Sequence, residues 1–129
     1  MTLSAENREL LIRDSIRKAQ KQNITLQASN WGIEWSKPKE RWVPKKDQGC
    51  CALGCVILEN QDKLSKHNWR QWTVETILET NSEWVRNFQL GFDGFKKSEY
   101  DDGTFAYELG ALLRDELINK DVQIKMPNM

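Results

Sequence analysis

Nine consecutive residues, Cys50-Cys51-Ala52-Leu53-Gly54-Cys55-Val56-Ile57-Leu58, carry no charged side chain and no amide or hydroxyl. A run that is apolar on every side has no face to give to water, so other elements must surround it. That places it at the centre of whatever this chain folds into. Periodicity alone does not separate a central helix from a central strand. Early Cys, Ala and Leu favour a helix, Val56-Ile57 favour a strand, and a helix is the expectation.

The segments around this run are patterned. Ser4 is a candidate N-cap, and Glu6 and Glu9 complement the positive start of a helix. Ile12, Ile16 and Ala19 fall on one stripe, and Arg17, Lys18 and Lys21 suit the negative end, which predicts a helix over about 4–22. Asn68 precedes Trp69, Trp72, Val74, Ile77 and Leu78, a second helical pattern. Asn81-Ser82-Glu83 then opens a third, in which Trp84, Phe88, Phe92 and Phe95 share one face. Gly91 and Gly94 in that stretch either end the helix early or admit a neighbouring backbone. Asp101-Asp102-Gly103-Thr104 starts a last helix to about Asn119, with Asp102 as its expected cap. Phe105, Leu109, Leu112, Leu113 and Leu117 form its apolar stripe, and Ala106 with Gly110 form a notch for close helix packing.

Residues 23–48 break this pattern. Pro38 and Pro44 exclude a continuous helix, and Gly32 and Ser36 add further breaks. Ile24-Thr25-Leu26 and Trp42-Val43 leave room for short strands. The expected fold is therefore mainly α: a single small domain over 1–129, of four to five short helices with a long Trp/Pro-containing connection. The tail from about 121 is expected to fray.

At 129 residues the chain is long enough to bury a core without covalent staples. Its charges balance, yet residues 1–46 hold ten Lys/Arg against five Asp/Glu, and 47–129 hold nine against fourteen. Two halves of opposite sign attract one another, which is a plainer account than a basic face for a polyanion. No apolar run approaches the roughly 20 residues that span a bilayer, and Glu6, Arg8 and Glu9 interrupt a signal-like N-terminus. Three cysteines crowded into six positions are a poor disulfide framework and suit a reducing compartment. A cytoplasmic location is the expectation.

Catalytic and metal-binding constellations are hard to assemble from these residues. Cys50, Cys51 and Cys55 lack the second ligand pair of a structural zinc site, and His67 is the only histidine. Buried hydrophobes are the simpler account of the three cysteines. Asp93, Glu99, Asp101 and Asp102 do not have the alternation of a calcium-binding loop, and no Glu-x-x-His occurs for a di-metal bundle. Glu108, Asp115 and Glu116 lie between leucines and should face solvent. Gly91-Phe92-Asp93-Gly94 lacks the Lys-Ser/Thr ending of a phosphate loop. No cofactor, no metal and no enzymatic activity are expected.

One segment keeps a functional reading. Trp31, Trp35 and Trp42 fall among Lys37, Lys39, Arg41, Lys45 and Lys46. Either these indoles plug gaps in a small core, or they form an exposed aromatic-basic binding face. The core-plugging strap needs no ligand and is the plainer of the two. On the binding reading the chain is a small non-enzymatic protein-binding or regulatory domain. Single-stranded nucleic acid, stacked on the indoles, is the alternative partner, although Glu34 and Glu40 dilute the positive field. A thiol- or zinc-dependent protein built on the cysteines is the third. Whether the three indoles point inward decides between strap and interface.

Overall fold

The computed structural model describes residues 3–28, 30–46, 48–63, 73–99, 104–120 and 122–125. Within them the chain forms five α-helices: α1 (Ala5–Lys21), α2 (Ala52–Asn60), α3 (Thr73–Leu78), α4 (Ser82–Phe92) and α5 (Ala106–Asn119). Four short strands accompany them: β1 (Leu26–Gln27), β2 (Ile33–Ser36), β3 (Arg41–Pro44) and β4 (Ile124–Lys125). The fold is mainly α, as the periodicity predicts. None of these helices is long and apolar enough to cross a membrane.

The apolar run is the central helix. Every residue from Ala52 to Leu58 is buried in α2. Cys51 caps it, its Sγ accepting from Gly54 N at 3.4 Å. Helix α1 packs alongside, burying Ile12, Ser15, Ile16 and Ala19. A polar link fixes this packing: Asn60 Nδ2 donates to Ser15 Oγ at 2.9 Å and to the Val56 carbonyl at 2.8 Å. Ser4 caps α1 as expected, accepting from Asn7 N at 3.1 Å.

Asn81 starts α4, its side chain accepting from Trp84 N at 2.9 Å. Trp84, Phe88 and Phe92 then stack in series, with centroids 5.5 and 6.2 Å apart. Phe95 leaves the series and is exposed, because the helix ends at Phe92 and Gly94 turns the chain at φ +80°. Helices α4 and α5 meet through glycines. A Cβ on Gly91 would lie 2.1 Å from the Tyr107 carbonyl oxygen, and one on Gly110 2.2 Å from that of Phe88. The notch foreseen at Gly110 thus receives the α4 backbone.

That contact decides which face of α5 turns inward, and it corrects the expected stripe. Ala106, Gly110 and Leu113 are buried, with Leu109 and Leu117 at the core margin. Leu112 faces solvent, and Phe105 is 71% exposed. Phe105 occupies the cap position itself, left-handed at φ 62° and without a side-chain cap bond, so α5 starts later than Asp102 implied. Asp101 and Asp102 lie outside the described residues. So do His67, Trp69 and Trp72, and the second predicted helix is described only from Thr73.

The tail is held further than expected. Val122 N donates to the Leu117 carbonyl at 2.9 Å, and β4 pairs parallel with β1, Ile124 opposite Leu26. The other side of β1 is covered by Cys50, whose N–H donates to Thr25 O at 2.8 Å and whose carbonyl accepts from Gln27 N at 2.9 Å. A free strand edge offers unpaired polar groups, which is why the chain after α5 docks there.

The two oppositely charged halves do meet. Arg13 forks onto Glu116, and Arg41 lies 3.7 Å from Asp62. Arg8 is a buried cation held by carbonyls: Nε donates to Leu78 O at 2.9 Å and Nη2 to Glu79 O at 3.1 Å. Its guanidinium also sits 5.0 Å from the centre of the Trp84 ring. Burial lowers its pKa while the Glu79 charge opposes that shift, and the negative end of α3 suits a cation.

Candidate functional site

The long connection is not an irregular strap. Its centre is a hairpin, β2 paired antiparallel with β3, with Ile33 opposite Pro44, Glu34 opposite Val43, Trp35 opposite Trp42 and Ser36 opposite Arg41. The prolines fit this arrangement. Pro38 lies in the connecting turn, and Pro44 ends β3, where a missing N–H breaks no ladder. Trp35 and Trp42 meet edge to face, centroids 5.7 Å apart at 77°. Directly opposed aromatics of this kind stabilise a strand pair by roughly 0.2–1 kcal/mol.

The hairpin is fastened to the end of α2 by one amide. Trp42 N donates to Gln61 Oε1 at 2.7 Å, and Gln61 Nε2 donates back to the Trp42 carbonyl at 2.9 Å. The preceding chain is fastened to the start of α2. Cys51 N donates to the Asn30 carbonyl at 2.8 Å, and a Cβ on Gly54 would lie 2.2 Å from the Trp31 carbonyl oxygen. The Trp31 backbone is therefore pressed against α2 while its side chain stays 38% exposed. Trp35 and Trp42 are partly buried. The choice between core plug and exposed face resolves into a graded set.

Between the hairpin, α2, α3 and α4 lies an open groove of about 820 Å³. Trp31, Ile33, Trp35 and Trp42 line it from the hairpin side, Ile57 from α2, and Val74 and Val85 from α3 and α4. The exposed lining surface is mainly apolar, with Lys37, Thr73, Glu75, Ser82, Arg86 and Gln89 as its polar members. Ser82, Val85, Arg86 and Gln89 fall three or four residues apart and share one face of α4, distinct from the stacked Trp84–Phe88–Phe92 face. Glu75 on α3 accepts from Ser82 Oγ at 3.4 Å. Lys37, in the hairpin turn, and Arg86 also line the groove, and neither forms an ion pair among the described residues. Trp42 Nε1 is buried without an acceptor among the described residues. An orphan donor of that kind costs about 1–3 kcal/mol.

Four of the eight residues singled out in the sequence, Trp31, Trp35, Trp42 and Lys37, are brought together at this groove. The other four are not. Lys39 is exposed in the hairpin turn, Arg41 approaches Asp62, Lys45 lines a separate polar hollow with Gln22, Asn23 and Gln48, and Lys46 is exposed. Sequence reasoning missed Val85, Arg86 and Gln89. Their only signal was a second face on α4, overshadowed by the aromatic one.

The cysteines are free and buried. Burial pushes the Cys50 thiol up to about 11 and the Cys51 thiol up to about 12, and raises Cys55 well above the ordinary value. Cys50 Sγ donates to the Gly32 carbonyl at 3.3 Å. Such thiols are poor nucleophiles and poor metal ligands, both of which require the thiolate. Among the described residues no group of His, Cys, Asp and Glu is arranged to hold a metal ion. Asp93 is buried at the end of α4, Glu108 is exposed beside Lys97, and Glu116 is engaged by Arg13. No known protein family, curated protein or solved structure matches this chain.

Proposed function

We propose that this chain is a non-enzymatic binding domain, and that its working surface is the groove walled by Trp31, Trp35 and Trp42. The occupant on this reading is a protein partner that inserts apolar side chains. The observation that carries it is Trp31: its backbone is locked against α2 at Gly54, yet its indole is exposed at the groove wall. Burying a rigidly presented tryptophan loses little conformational entropy on binding, which is why such residues dominate interface energetics. The volume of about 820 Å³ and a mainly apolar exposed lining support the same reading. A cytoplasmic setting goes with it, supported by three free thiols.

Nucleic acid is the weaker candidate. A single strand needs a continuous basic track beside its stacking platforms, and Lys39, Arg41, Lys45 and Lys46 lie off the groove walls. Titration with anilinonaphthalene sulfonate, an amphipathic dye with an apolar ring system and an anionic sulfonate, tests the groove itself. Saturable binding is expected, weakened at least about tenfold by Ser82→Trp, which fills the groove from an exposed rim position. Binding that does not saturate, or that is unchanged in Ser82→Trp, would overturn the reading.

A further inference from the structure

We propose that the partner segment taken up by the groove is acidic: apolar side chains flanked by at least one carboxylate, seated between Lys37 and Arg86. This rests on the groove being a protein-binding surface. The argument is charge complementarity. Some cations of the fold are matched within the chain, Arg13 with Glu9 and Glu116, Arg17 and Lys18 with Asp14, and Lys97 with Glu108, while exposed ones away from the groove, such as Lys21 and Lys120, face water without an ion pair among the described residues. At the groove, Lys37 from the hairpin and Arg86 from α4 remain unmatched among the described residues.

Among the described lining residues Glu75 is the one carboxylate, accepting from the Ser82 hydroxyl, and these residues carry two cations to one anion. Beside low-dielectric indole walls, a cation without an internal partner favours an incoming anion and disfavours a basic segment. Arg86 adds geometry to charge, because a guanidinium can take a carboxylate through two parallel hydrogen bonds.

The test is a random peptide library displayed on phage, selected on the full chain and counter-selected on Ser82→Trp. Enriched peptides are expected to combine aromatic or aliphatic residues with nearby Asp or Glu. They should bind the exposed-site double variant Lys37→Glu/Arg86→Glu at least about tenfold more weakly, and that variant should itself enrich Lys- and Arg-bearing peptides. Apolar peptides without acidic residues, bound equally by both forms, would overturn the acidic inference and leave the groove reading standing. No enrichment over Ser82→Trp would remove the groove reading, and this inference with it.

Discussion

Gln61 satisfies both backbone polar groups of Trp42, accepting from its N–H at 2.7 Å and donating to its carbonyl at 2.9 Å. In effect one side-chain amide acts as a third strand on the hairpin. It also fixes register, because a Trp42 backbone that faces Gln61 must direct its side chain towards Trp35.

Gln61→Ala should therefore leave two half-buried groups without partners and cost about 1–3 kcal/mol in urea unfolding. Gln61→Glu keeps the acceptor and loses the donor, so it should fall between the two. A Gln61→Ala chain as stable as the parent would mean that the hairpin is held by its indoles alone.

Gly110 is the second position where a small change should be large. An added methyl would sit 2.2 Å from the Phe88 carbonyl oxygen, a backbone atom that cannot swing aside. Gly110→Ala should destabilise by about 1–3 kcal/mol or more, despite its higher helix propensity. Stabilisation by this substitution, read from the same unfolding curves, would contradict the close approach of α4 and α5.

The thiols give a chemical readout. With Cys50 pushed up to about 11 and Cys51 up to about 12 by burial, thiolate is scarce at mildly alkaline pH. Dithionitrobenzoate should react with none of the three in the native protein and with all three in denaturant. Rapid reaction of a native thiol would reopen the thiol-dependent reading.

Acid stability should carry a small signature of Glu116. The hydrogen bond from Arg13 holds its carboxyl below the ordinary value of 4.5. A carboxylate stabilised by folding contributes fully above its unfolded pKa, and the contribution fades as pH falls through the lower folded value. The side chains of Arg13 and Glu116 are 33% and 35% exposed, so solvent screening keeps the pair below about 1 kcal/mol. Glu116→Gln should lose that amount near neutral pH and differ little from the parent at pH about 3, as urea unfolding at the two values would show.

Periodic segments were the legible part of this chain. Ile12, Ile16 and Ala19 announced α1, Asn81 announced the start of α4, and the Cys50–Leu58 run announced the centre. Failures fell where a long-range contact overrode a local pattern. Phe105 and Leu112 read as core by spacing, but the glycine contact between α4 and α5 rotates that face outward. Ile124 carries no periodic signal and is recruited by the free edge of β1. At the groove, the indoles were visible as a cluster. Arg86 was not, because the residues it shares the groove with on the opposite wall, such as Trp35 and Lys37, are far away in sequence, where no local pattern reaches.

The central claim is that Trp31 serves binding more than folding, and a Trp31→Ala chain measures it directly. Its indole is 38% exposed, so the loss of stability should be modest, about 1–2 kcal/mol in urea unfolding. Binding of groove-selected peptides to the folded variant should weaken by at least about tenfold. A Trp31→Ala chain that unfolds, or that stays folded and binds those peptides as tightly as the parent, would contradict the account.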